Sequence, residues 1–304
     1  MGTSGFALPS LKKLAENHDV ISVFTKKDKP RGRGMRLKEG VIKKEAKRLK
    51  TEVKTPENLL DKKIINYLKD KKPDLMVVVS YGLKIPENIL KIPKYFVINA
   101  HASLLPKYRG ASPINKAILE GDKKTGITVF KLDKNWDAGD IIETYSVEID
   151  KNETAESLWD KLRNLSAEAL LDSIEKIKNN DYEFEKQDES KATYAYKINK
   201  KDAKINWNKT IENIDRQIRG YYSWPGAFSY YKNKRMKILS AVIEKKDINE
   251  KPGTVVDLNS NKGIGVAANN GVVYIKKLKL AGKKAMDYID FLNGYDISKG
   301  EILG

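Results

Sequence analysis

Two uninterrupted apolar runs constrain this chain most: Leu75-Met76-Val77-Val78-Val79 and Tyr95-Phe96-Val97-Ile98. Each is too short for a buried helix. Neither alternates as a half-exposed strand would, so both read as strands of a sheet covered on two faces. Val20 to Thr25 reads as a further strand, and Lys26 to Gly34, with Pro30 and Gly32, as a loop. Leu37 to Leu49 has weak helical spacing. Glu57 to Leu68 has it more firmly, with Leu59, Leu60, Ile64, Ile65 and Leu68 three or four apart. Asn152 to Lys178 reads as a long amphipathic helix capped near Asn152 or Thr154. Strands alternating with helices predict an α/β fold, a Rossmann-like doubly wound sheet.

The pattern then changes. Asp181 to Lys201 is charged and weakly patterned and reads as a linker, and Lys209 to Gly220 reads as a short helix. From Ala227 to Leu280 come short β segments separated by turn signals such as Lys251-Pro252-Gly253 and Asn269-Asn270-Gly271. That spacing predicts a small β-barrel of the OB type. The expected division is a catalytic α/β domain at 1–182, a linker at 183–204 and an OB-like barrel at 205–304.

The charge is uneven. Of a net +17, residues 1–50 carry 14 Lys/Arg against 5 Asp/Glu, residues 101–200 carry 16 against 19, and residues 201–304 carry 19 against 11. A basic excess at both ends of a neutral middle points to a polyanionic partner. The chain has no cysteine and two histidines, which argues against disulfides, thiolate chemistry and a resident metal. No apolar run reaches about 18 residues and no leader pattern opens the chain, so we expect a cytoplasmic protein with no membrane partner.

The second apolar run ends abruptly in Asn99-Ala100-His101-Ala102-Ser103-Leu104-Leu105-Pro106. Asn99 and His101 therefore fall at the carboxyl edge of a strand, where open α/β sheets bind ligands. A later loop, Asp133 to Asp140, clusters carboxylates around Asp137-Ala138-Gly139-Asp140. Asn, His and Asp together can polarise a carbonyl, move a proton and hold an imidazole. Singly, each has a plainer explanation as a cap or a turn.

Together these runs, with Lys107-Tyr108-Arg109-Gly110-Ala111-Ser112-Pro113-Ile114 and Thr125-Gly126-Ile127-Thr128, resemble the folate-dependent formyltransferases. The resemblance implies 10-formyltetrahydrofolate as formyl donor and a catalytic set of Asn99, His101 and Asp137. It implies a folate loop at Ser103, Leu104, Leu105 and Pro106, with Tyr81 and Gly82 bordering the pterin pocket. Within that family the chain is most similar to the branch that acts on methionyl-tRNA. The similarity lies in Gly2 to Leu11, in Asp28-Lys29-Pro30-Arg31-Gly32-Arg33-Gly34, in Tyr221-Tyr222-Ser223-Trp224-Pro225 and in Leu280 to Met286. It implies methionyl initiator tRNA as partner. Arg31 and Arg33 would lie near its acceptor end, and Lys234, Arg235 and Lys283 would belong to a basic face of the barrel. Glycines beside Arg31 and Arg33 would let the backbone come close to phosphate. We expect a monomer.

Two departures stand out. The family has a strand ahead of the Gly-Thr turn, whereas this chain opens Met1-Gly2-Thr3, and Gly5 stands where an acidic residue is expected. The first predicts a hole in the sheet and a true start a few codons upstream. Two other readings share part of the pattern. A nucleotide-sugar or glycinamide ribonucleotide formyltransferase would keep the three site residues without needing the basic barrel. An RNA-binding module would keep the barrel without the chemistry.

Overall fold

The computed structural model describes residues 1–31, 36–259 and 261–304. They form two compact units, one of residues 1–113, 124–148 and 159–195, the other of 114–123, 149–158 and 196–304. In chain order the first stretch holds α1 (Leu8–Asn17), β1 (Ser22–Phe24), β2 (Lys29–Arg31), β3 (Arg36–Lys38), α2 (Val41–Arg48), β4 (Glu52–Lys54) and α3 (Lys62–Lys71). Next come β5 (Met76–Val78), α4 (Glu87–Leu90), β6 (Val97–His101), β7 (Arg109–Gly110), α5 (Pro113–Glu120), β8 (Lys124–Lys131) and β9 (Ile141–Glu148). Then α6 (Ala155–Lys178), β10 (Tyr194–Ala195), α7 (Ile211–Gly220), β11 (Phe228–Tyr231), β12 (Lys234–Lys245) and β13 (Val255–Asn259) follow. β14 (Gly263–Ala268), β15 (Gly271–Leu280), β16 (Met286–Asp287) and α8 (Tyr288–Gly294) complete the set.

In the first unit β5, β6, β8 and β9 form one sheet in that order. β5 and β6 run parallel, and β8 and β9 are antiparallel to their neighbours. β1 and β4 form a separate parallel pair. The first three residues stitch the two together. Gly2 N–H donates to Phe24 O (2.9 Å), Val79 N–H to Met1 O (2.9 Å) and Thr3 N–H to Ser80 O (3.2 Å). A cavity of about 570 Å³ lies beside this short junction, lined by Met1, Leu11, Phe24, Met76, Val77 and Ile177 among others. Gly5 has a packing reason: a Cβ there would stand 3.3 Å from the Trp159 ring.

Some elements start later than their spacing predicts. The helix expected from Glu57 begins at Lys62, because Asp61 takes the cap and its carboxylate accepts Lys63 N–H (2.9 Å). Leu59 instead enters the core ahead of the helix. The region expected as a loop from Lys26 to Gly34 contains β2, which pairs antiparallel with β3, so α2 starts only at Val41. The charged stretch expected as a linker divides between the units at Ala195/Tyr196.

The second unit carries an antiparallel sheet ordered β11-β12-β15-β14-β13, with β16 pairing β15. The twelve residues of β12 change register at Ser240, a bulge that bends the strand. Ile214 and Ile218 of α7 and Phe291 of α8 pack with Val266, Ile275 and Leu278 in one apolar cluster. Thr210 caps α7 by accepting Asn213 N–H. No helix among the described residues is long and apolar enough to cross a membrane.

Tyr81 sits in the core of the first unit with Phe24, Ile85 and Ile89, only 2% exposed, and its hydroxyl has no partner among the described residues. Burial pushes its pKa up to about 12. An unfolded tyrosine ionises near 10, so the unfolded chain releases this proton first and stability falls as pH rises from 10 to 12. Tyr81→Phe removes both the orphan hydroxyl and that alkaline loss. Urea titration should find it about 1 kcal/mol more stable at neutral pH, with a gentler decline above pH 10.

Candidate active site

β6 alternates, so Val97, Asn99 and His101 project to one face and Ile98 and Ala100 to the other. The strand is locked between β5 and β8, with Asn99 opposite Val78 on one side and Phe130 on the other. Among the described residues the Asn99 amide has no hydrogen-bond partner, although its backbone is paired with a strand on either side. His101 is 6% exposed. Its Nε2 lies 2.9 Å from Tyr108 O. A carbonyl only accepts, so in the neutral ring Nε2 carries the hydrogen and Nδ1 is the basic nitrogen. Nδ1 faces Asp137 Oδ2 at 3.7 Å.

Asp137 is 8% exposed and sits in the left-handed region at φ 53°. A non-glycine residue there is uncommon and must be held by its surroundings. Gly110 N–H donates to its Oδ2 (2.9 Å). Gln187 Nε2–H donates to its carbonyl (3.0 Å) and to Gly139 O (2.7 Å). The loop is tied to β8 where Lys131 N–H donates to Asp140 O (2.9 Å), so close that a Cβ on Gly139 would stand 1.8 Å from Lys131 O. Only glycine fits there.

The Gly110 donor is itself fixed by β7, which pairs parallel with β10. Arg109, on β7, has its side chain buried and makes a forked pair with Glu189, two bonds of 2.8 Å. Its Nε and Nη2 also donate to Gln187 Oε1 (3.0 and 2.8 Å). The Arg109 bonds hold the Glu189 carboxyl below the usual carboxylate range. Of the three residues expected to carry the chemistry, His101 and Asp137 thus meet at the end of β6, and Asn99 stands two residues before His101 on the same face of the strand.

Residues 3–174 match the formyl transferase family model and 197–296 match the model of the formyl transferase C-terminal domain. Over 305 residues the chain is 41% identical to a methionyl-tRNA formyltransferase of Alkaliphilus oremlandii, covering 100% of this chain and 98% of that one. The chain belongs to the methionyl-tRNA formyltransferase family. Solved structures agree on the fold. An N-formyltransferase of Helicobacter canadensis in complex with folinic acid and dTDP-3-aminofucose has a TM-score of 0.66 at 23% identity, covering 93% of this chain and 97% of that one. A methionyl-tRNA formyltransferase of Clostridium thermocellum has a TM-score of 0.55 at 22% identity, covering 80% and 91%.

Of the run expected as this family's folate loop, Ser103 and Leu105 are buried, whereas Leu104 and Pro106 keep exposed surface. The Ser103 hydroxyl donates to Lys107 O (2.6 Å), which engages it inside the loop. Thr128 Oγ1 completes the brace, donating to Ser103 O (2.7 Å) and accepting Leu105 N–H (3.0 Å). Tyr81, expected beside the pterin pocket, packs in the core with its hydroxyl unpartnered among the described residues, and the Gly82 carbonyl accepts from Lys26 Nζ (2.7 Å). Arg33 lies outside the described residues, and Arg31 is placed by its backbone alone, on β2. Lys234 and Lys283 are exposed, while Arg235 is half-buried over the Phe228 ring at 3.7 Å. Ala281 N–H donates to Arg235 O (2.9 Å), which brings the turn holding Lys283 to that end of β12.

Sequence reasoning quoted Thr128 only as part of a matching run, with no role, and missed Gln187. Gln187 lies in a stretch with no periodicity, and its only signal was a polar, uncharged side chain in a run of charges. Thr128→Val keeps the shape and removes both braces of the loop. It should cost about 2 kcal/mol in denaturant unfolding, from one buried carbonyl and one buried N–H left unpaired.

Proposed function

We propose that Asn99, His101 and Asp137 are the catalytic set for formyl transfer from 10-formyltetrahydrofolate to the α-amino group of methionyl initiator tRNA. The observation that carries this reading is the His101 ring, pinned through Nε2 so that its basic Nδ1 lies beside the Asp137 carboxylate. The methionine amine attacks the formyl carbon, and a C–N bond forms as the carbonyl oxygen takes up negative charge. The open Asn99 amide donates to that oxygen. His101 Nδ1 takes the proton released by the amine, directly or through one water, and Asp137 stabilises the imidazolium. The proton then passes to the folate nitrogen as its bond to the formyl carbon breaks. The products are N-formylmethionyl-tRNA and tetrahydrofolate. No step asks for a metal.

Leu104 and Pro106 supply the exposed surface of the folate side in this reading, with Ser103 and Leu105 holding the loop in shape. In this reading the first unit does the chemistry and takes in residues 183–195 of the segment expected as a linker, while 205–304 grip the RNA as an OB-like barrel. Lys234, Arg235 and Lys283 belong to that grip, and Arg31 and Arg33 to the acceptor end. The reading takes a monomer, acting in the cytoplasm where aminoacyl-tRNA is used.

Formyl transfer assayed with methionyl initiator tRNA tests the chemistry. Asn99→Ala should lower kcat about 10²–10³-fold. His101→Ala and Asp137→Asn should each lower it about 10²–10⁴-fold. Near-native turnover in all three folded variants would falsify the assignment. The grip is tested by tRNA affinity against salt. Replacing Lys234, Arg235 and Lys283 by Ala should flatten the log–log slope by roughly 0.7–0.9 for each phosphate that is no longer neutralised. An unchanged slope removes those residues from the interface.

A further inference from the structure

We propose that Gln187 is a positioning residue for Asp137, holding it in its left-handed backbone conformation so that the carboxylate faces His101. The proposal rests on the reading of Asp137 as part of the catalytic set. Gln187 uses its amide in full. Oε1 accepts twice from Arg109, and Nε2 donates to the carbonyls of Asp137 and Gly139. This saturation determines which way the amide points. Turned over, it would set NH₂ against a guanidinium and oxygen against two carbonyls.

The connection has a direction. Arg109 is buried and anchored by the forked pair with Glu189, so it cannot follow the loop. Gln187 carries that fixed point across to the two carbonyls that flank Ala138. Asp137 is thus held from both ends, its carboxylate by Gly110 N–H and its backbone by Gln187. Both holds originate at β7, because Gly110 follows Arg109. Without the amide the left-handed backbone has less to hold it, and relaxation to the ordinary region would swing the carboxylate from Nδ1. A displacement of about 1 Å at a reacting group costs on the order of 10²-fold in rate.

The test separates positioning from mere structural support. Gln187→Glu keeps an acceptor for Arg109 but sets a carboxylate oxygen against the two loop carbonyls. If Gln187 served only to satisfy Arg109, this variant would be harmless. Positioning predicts a fall in kcat of about 10–10²-fold, with KM for both substrates within about threefold. It also predicts that Gln187→Glu adds no further loss in an Asp137→Asn background, since the residue acts through Asp137. Gln187→Met, of similar length but unable to donate, should show the same split and serves if the Glu variant does not fold.

Native kcat in either folded variant overturns the proposal. An equal, additive loss in the Asp137→Asn background overturns it too, placing the effect elsewhere. If Asp137→Asn itself turns over normally, the catalytic assignment fails and the positioning role falls with it. If Asp137→Asn is impaired and the Gln187 variants are not, only the positioning role falls.

Discussion

The carbonyl oxygen of Tyr108 decides what the His101 ring can do. Because it only accepts, it claims the hydrogen of Nε2 and leaves Nδ1 as the nitrogen that meets protons. Its aim depends on Tyr108 standing at φ 62°. Tyr108 N–H donates to Thr193 Oγ1 (2.9 Å) and Arg109 N–H to Thr193 O (2.9 Å), while Ala111 N–H reaches Ala195 O (2.8 Å). A histidine at the end of β6 therefore has its protonation pattern set by a strand pair between β7 and β10, elements far apart in the chain.

Tyr108 and Asp137 both hold left-handed backbone. Each costs about 1–3 kcal/mol and persists only where its surroundings over-determine it. Here the surroundings are Thr193, Gly110 and Gln187, which are hydrogen-bonded to the strained residues or to their carboxylate. Buried Arg109 joins them with bonds to an ionised acceptor and to an amide oxygen, stronger on average than neutral pairs. The strain is thus concentrated at two residues, and the polar network that offsets it lies around β7. The glycines at 110, 126 and 139 let backbones approach more closely than any side chain permits.

Strand β6 was legible because burial and alternation write themselves into sequence. A closed apolar run ending in Asn-x-His places two polar side chains on one face at a strand end. The Asp137 loop was legible through its residues rather than any periodicity. The start of α3 was not, since Leu59 and Leu60 continue an apolar spacing that Asp61 interrupts with a cap. The antiparallel direction of β8 and β9 leaves no trace in an apolar pattern, which is the same in either direction. Gln187 was hidden for another reason. Residues 181–195 contribute hydrogen bonds and one short strand rather than a stripe of buried apolar groups, and side-chain pairing over long sequence distances has no local signature.

β10 has a consequence for the order in which this site comes into being. A chain leaving the ribosome presents Asn99, His101 and Asp137 long before Gln187, Thr193 and Ala195 emerge. Up to that moment the three side chains are all present but have no Thr193 to aim the Tyr108 carbonyl and no amide on the Asp137 loop. The geometry around His101 and Asp137 is therefore a late event in synthesis, reached when the last residues of the first unit add their strand. A boundary drawn by composition alone, just after α6, would keep Asn99, His101 and Asp137 and leave behind the parts that orient them.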